Sequence, residues 1–127
     1  MKRILIDAAI FIDHFRNYEP ATKLMEAISG EDSSIVASVL TVAEVLSGED
    51  CSETAIRTQI GEFFAPVEKL DVDMDIARKG AEFRRVYGIP LVDALIAATA
   101  FRLNVPLYSR NKKDFGRIKE IRLVVPY

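Results

Sequence analysis

Four short, almost wholly apolar runs punctuate this chain, and they constrain its fold more than any other feature. They are "RILID" near the start, "SIVAS" at 34–38, "VPLYS" at 105–109 and "IRLVVP" at 121–126. None shows the alternation of a strand with one wet face. Strands buried on both sides belong to parallel sheets, whose crossover helices cover both faces. The intervening segments supply such helices. "AAIFIDHFRN" has helical spacing, "EPATKLMEAISG" is closed by Gly30, and "LTVAEVLSG" follows the second apolar run. Longer helices are predicted over "CSETAIRTQIGEFFAP" and "DVDMDIARKGAEFRRVYG", then "LVDALIAATAFRLN" and a short helical turn near "KKDFGRI". No repeat, linker or low-complexity tract divides the chain, so a single α/β domain over residues 1–127 is expected. In such a sheet ligands sit beyond the carboxyl ends of the strands. Asp7 and Ser109 fall at those ends.

Three acids stand alone in apolar surroundings. Asp7 is the only charge between Arg3 and Asp13, Glu44 the only one between Asp32 and Glu49, and Asp93 the only one between Arg85 and Arg102. A carboxylate does not enter apolar surroundings without a partner, because desolvating the charge costs several kcal/mol or more. Each has a purely structural explanation. Asp7, between a strand and a helix, is placed to cap that helix. Asp93 falls in a first helical turn, where the dipole favours an anion. Glu44 lies well inside its helix with no cap to make, and would need a basic partner.

Convergence explains all three together. Carboxylates brought together repel, raise one another's pKa and need a cation to stay ionised. An all-oxygen set suits a hard divalent ion, Mg²⁺ or Mn²⁺. Such an ion lowers the pKa of a bound water and neutralises charge on a phosphoryl oxygen, which is the chemistry of phosphodiester hydrolysis. A fourth acid, Asp114, follows Asn111 in "YSRNKKDF", a pattern that equally reads as an N-cap with an acid in the first turn. The cations Arg110, Lys112, Lys113, Arg117 and Lys119 crowd this region, and Arg78, Lys79, Arg84 and Arg85 form a second cluster. Such clusters are usually solvated faces, but beside a metal site they are candidates for holding an RNA backbone.

Composition narrows the classes. Of 127 residues, 50% are hydrophobic and 28% charged, an ordinary globular balance, and the net charge of −2 gives no global attraction to nucleic acid. With one cysteine, Cys51, neither a disulfide framework nor a thiolate metal cluster can form. Cys51 is not expected to be a nucleophile, because the lone His14 lies on a different helix pattern. Asp7 interrupts the first apolar run, which argues against a signal peptide, and no stretch is long and charge-free enough to span a bilayer. A cytoplasmic protein is expected.

The order of these motifs resembles that of a PIN domain, and more narrowly the VapC-type toxins of toxin–antitoxin pairs. The matching segments are "ILIDAAIFIDHF", "SIVASVLTVAEVLSG", "IPLVDALIAATAFRLNVPLYSRNKKDF" and "LVVPY". The resemblance implies a three-layer α/β/α sandwich around a mainly parallel sheet. It implies that Asp7, Glu44 and Asp93 form the metal site, with Asp114 as a fourth acid and Asn111 as the other polar residue of its turn. It further implies an Mg²⁺- or Mn²⁺-dependent endoribonuclease that leaves a 5′-phosphate and a 3′-hydroxyl, usually a homodimer. Its partner would be a VapB-type antitoxin whose C-terminal segment covers the site and whose other end binds operator DNA. One departure stands out. Relatives commonly carry Ser, Thr or Asn just after the first aspartate, where this chain has Ala8 and Ala9. Two rivals follow from the residues: a PIN scaffold of weak or no activity that binds RNA or protein, and a receiver-like phosphoacceptor. The second is disfavoured because Ala8, not an acid, follows Asp7.

Overall fold

A computed structural model describes residues 2–30 and 32–127. The first strand, β1 (Lys2–Ile6), leads into helix α1 (Ala8–Phe15), with Asp7 as the hinge between them. Helix α2 (Glu19–Ser29) carries Pro20 in its first turn, where the missing N–H costs nothing, and stops at Gly30. Strand β2 (Ser33–Ser38) then feeds α3 (Val39–Leu46), whose first turn is capped by Ser38 Oγ accepting from the Leu40 N–H at 3.1 Å.

The single helix expected over residues 51–66 divides. Glu49–Ser52 forms a 3₁₀ turn, Glu53 is extended, and α4 covers Thr54–Phe64. A strand that hydrophobic patterning did not signal, β3 (Glu68–Leu70), follows. It is short and charged because it is an edge; Glu68 pairs with Arg3 of β1 at 2.7 Å instead of entering a core. Asp73 caps α5 (Met74–Tyr87) by accepting from the Ile76 N–H, and Gly88, at φ 65°, ends it in the left-handed region that glycine adopts at no steric cost. Helix α6 (Leu91–Leu103), strand β4 (Leu107–Tyr108), helix α7 (Lys112–Phe115) and strand β5 (Leu123–Val124) complete the chain.

All four strand pairings are parallel, in the order β3-β2-β1-β4-β5. Strands β1 and β2 are indeed buried on both faces toward their carboxyl ends, whereas the last strand expected over 121–126 shortens to β5, an edge strand whose Val124 is exposed. Leu5 and Val36 enter one core with Phe83, Ile89, Ile96 and Phe115, while Ile4, Ile6 and Ala37 enter the other with Ile10, Phe11, Met25 and Phe64. The layered α/β/α architecture follows from that division. Helices α5 and α6 approach closely on one face: a Cβ at Gly80 would stand 2.6 Å from Leu95 Cδ2 and 3.3 Å from its Cα. Because β1 pairs with β2 on one side and β4 on the other, strand order reverses at β1. The carboxyl ends of β1 and β4 open the crevice expected at such a switch point.

Candidate active site

Each acid reaches the crevice by a different local device. Asp7 caps α1, its Oδ1 accepting from the Ala8 N–H at 2.8 Å. Glu44 sits inside α3, after β2. Asp93 occupies the first turn of α6, and Asp114 the short α7, whose N-cap Asn111 accepts from the Asp114 N–H at 3.2 Å. The cap and first-turn roles anticipated from sequence are therefore real. They coexist with convergence instead of replacing it.

The turn after β4 ties the acids together. Ser109, fully buried, donates from Oγ to Asp7 Oδ2 at 2.9 Å and accepts the Asn111 N–H at 3.0 Å. Asn111 Nδ2 donates to Asp114 Oδ2 at 3.1 Å and, at 3.4 Å, more weakly to Asp93 Oδ2. Glu44 is exposed and enters no such bond among the described residues.

The electrostatics show one neighbourhood of negative charge. Burial holds the Asp7 carboxyl above its ordinary range, against the lowering effect of its bonds to Ser109 and Ala8. Burial also raises Glu44, and the charges of Asp7 and Asp93 raise it further. Asp93 is pushed up to about 6, first by burial and then by the charges of Asp7 and Asp114. Among the described residues no ion pair joins a lysine or arginine to Asp7, Glu44, Asp93 or Asp114. The clustered charge lacks a protein cation, and an oxygen-only set of this kind fits a hard divalent ion. No three His, Cys, Asp or Glu side chains among the described residues close tightly enough to hold an ion by themselves.

The basic residues divide. Lys112 and Lys113 are exposed on α7. Arg110 is engaged: its Nη1 donates to Asp13 Oδ2 at 2.9 Å, and its guanidinium lies 5.6 Å from the Tyr127 ring centre. In the second cluster Lys79 pairs with Glu82 and lies over the Phe83 and Phe101 rings, and Arg84 donates to the Ile89 carbonyl. Both serve packing of α5. Sequence reading overlooked Asp13 and Tyr127, which are joined to the crevice through Arg110; no local spacing signals partners so distant in the chain.

An apolar groove of about 420 Å³ lies away from the acids, where α1, the end of α3 and α4 meet. Ile12, Phe15, Val45, Ile60 and Phe63 line it, with Cys51 at its wall. Its chemistry suits an apolar chain segment more than a phosphate.

The PIN domain family profile matches residues 4–121. The chain is 35% identical over 123 residues to "Ribonuclease VapC19" of Mycobacterium tuberculosis, covering 93% of this chain and 96% of that protein. It is 30% identical over 131 residues to "Ribonuclease VapC1" of Methanocaldococcus jannaschii, covering 97% and 86%. Among solved structures, a chain described as "Toxin-antitoxin complex from Klebsiella pneumoniae" superposes with a TM-score of 0.82 at 31% identity, with 98% of each chain covered. A lone acid after β1, another inside α3, a third opening α6 and a family profile spanning nearly the whole fold lead to one assignment: this chain belongs to the PIN-domain family, within its VapC group.

Proposed function

We propose that this protein is a divalent-metal-dependent endoribonuclease, the toxin of a toxin–antitoxin pair, with Asp7, Glu44 and Asp93 holding Mg²⁺ or Mn²⁺ and Asp114 assisting. The observation that carries the reading is the shared negative field. In one crevice the charges of Asp7 and Asp93 raise the Glu44 pKa, and those of Asp7 and Asp114 raise that of Asp93, with no protein cation among the described residues paired to them. The names of the VapC relatives supply the activity and substrate class.

When bound, the ion supplies Lewis acidity toward water and toward a phosphoryl oxygen. The chain supplies the frame. Ser109 orients Asp7 and Asn111 orients Asp93 and Asp114, fixing the directions of the carboxylates that would hold the ion directly or through water. Lys112 and Lys113, exposed beside Asp114, are placed to attract the RNA backbone electrostatically. By family analogy the products carry a 5′-phosphate and a 3′-hydroxyl.

A VapB-type antitoxin is the proposed partner, and the α1–α3–α4 groove is a suitable seat for an apolar segment of it. Several solved relatives are described as VapBC complexes, two of them with DNA, which supports that partner and an indirect link to DNA. A homodimer and a cytoplasmic location complete the proposal; no helix among the described residues is long and apolar enough to cross a membrane.

Incubating the purified chain with total RNA and Mg²⁺ or Mn²⁺, with and without chelator and with and without antitoxin, tests the reading. Fragments that vanish with chelator or antitoxin are expected. Bound but uncut RNA would favour the scaffold reading, to which Ala8 and Ala9 lend support.

A further inference from the structure

Three consecutive side chains after β4 each hold a different part of the crevice. Ser109 bonds Asp7 at the start of α1, Asn111 bonds Asp93 and Asp114, and Arg110 bonds Asp13 in the last half of α1. The turn is thus clasped to both ends of one short helix, and the Arg110 clasp is the one that leaves the four acids of the crevice aside. It is also reinforced. The Tyr127 hydroxyl donates to the same Asp13 Oδ2 at 2.8 Å, and Tyr18 packs against the Tyr127 ring with centres 5.6 Å apart. The Asp13 side chain keeps only 20% of its surface exposed, against 49% for Arg110. A charge-assisted bond to a mostly sheltered carboxylate holds better than a solvated surface pair.

We infer that Asp13 and Tyr127 are positioning residues, which act through Arg110 to hold the Ser109–Asn111 turn, and with it Asp7 and Asp93, in working register. The inference rests on the ribonuclease reading for its catalytic consequence, though not for the clasp itself. It reassigns Arg110. To grip RNA, the guanidinium would have to leave Asp13 and strand a sheltered carboxylate beside the Tyr127 hydroxyl. Burial, the bond to Asp13 and the Asp13 charge raise the Tyr127 pKa, so its proton stays in place to complete the clasp.

A shift of about 1 Å in groups that orient a reaction can cost about 10²-fold in rate. Steady-state cleavage of an RNA substrate under Mg²⁺ or Mn²⁺ therefore separates the two roles of Arg110. With Asp13→Asn, Tyr127→Phe and Arg110→Gln, kcat should fall about 10-fold or more while KM stays within about twofold. The Asp13→Asn/Arg110→Gln double variant should be no worse than the poorer single. An RNA grip predicts the reverse: Arg110→Gln raises KM and flattens its salt dependence, and Asp13→Asn lowers KM by freeing the guanidinium. That pattern overturns the inference.

Hydrogen exchange on the metal-free protein gives a readout independent of activity. The Asn111 amide, bonded to Ser109 Oγ, should exchange about 10-fold faster in Tyr127→Phe and Asp13→Asn, with α5 amides unchanged. Unchanged exchange at Asn111 overturns the clasp whether or not the protein cuts RNA. Faster exchange in a protein whose parent releases no fragments would retain the clasp and reject the ribonuclease.

Discussion

Ser109 Oγ meets Asp7 Oδ2 at 2.9 Å across a separation of 102 residues, joining the ends of two neighbouring strands. Asp7 is 8% exposed, so that hydroxyl is one of the few groups able to replace water around its charge. Ser109→Ala leaves a buried carboxylate oxygen short of a donor and removes the acceptor of the Asn111 N–H. A loss of about 1–3 kcal/mol in stability is expected, with a fall of about 10–100-fold in cleavage. Chemical denaturation and initial cleavage rates measure the two; parental values for both would dissociate Ser109 from the site.

The metal-free protein should be more stable in mild acid than at neutrality. Asp93 has its carboxyl pushed from 3.8 to about 6 in the fold, and Asp7 and Glu44 are shifted in the same direction. The folded state therefore binds these protons more tightly than the unfolded chain. The Asp93 contribution is complete below about 3.8 and is lost as pH rises through about 6, and Asp7 and Glu44 contribute with the same sign. Thermal melts in chelator should show a higher Tm at pH 5 than at pH 7.5, and excess Mg²⁺ or Mn²⁺ should narrow the gap. A pH-independent Tm would contradict the shared negative field.

Much of this arrangement was legible in the residues. The doubly buried strands announce themselves because both Leu5 and its neighbours Ile4 and Ile6 are apolar, and the sheet does bury both sets. Asp7, Glu44 and Asp93 stand out for the same reason: a lone charge in an apolar run requires an explanation from outside its own segment. Strand β3 escaped because an edge strand needs no apolar pattern; Glu68 pairs with Arg3, and Lys69 donates to the backbone carbonyls of Phe64, Ala65 and Val67. The break before α4 escaped because it turns on the backbone of Glu53, which no periodicity encodes. Asp13 and Tyr127 were invisible for a third reason, since Asp13 is an ordinary acid on a helix until the chain end returns to it.

The alanines after Asp7 make a gain of function testable. Ala9 is half-buried where Ala8 is buried, so a polar side chain at position 9 reaches solvent more readily than one at position 8. Ala9→Asn should tighten divalent-ion binding by about 10-fold, within the range for groups that orient metal ligands. Calorimetric titration with Mn²⁺ checks it, and unchanged affinity would mean that water already fills that role.

Gly80 tests the frame that carries Asp93. Any Cβ there would meet Leu95 on α6, so Gly80→Val should cost about 1–3 kcal/mol by overpacking. Because α6 carries Asp93 in its first turn, cleavage should fall alongside stability. A neutral effect on the melting temperature would show that α5 and α6 separate more easily than their contact suggests.

If the acids of this crevice serve an ion and a reaction at the expense of the fold, Asp93→Asn should relieve the fold and abolish the reaction. The shift to about 6 amounts to about 3 kcal/mol undiscounted; with the side chain half exposed, on the order of 1 kcal/mol is expected as a gain in metal-free stability at pH 7.5. Asp93→Asn should melt at or above the parent temperature yet release no RNA fragments under Mg²⁺ or Mn²⁺. A folded Asp93→Asn protein that cuts RNA at the parental rate would contradict it.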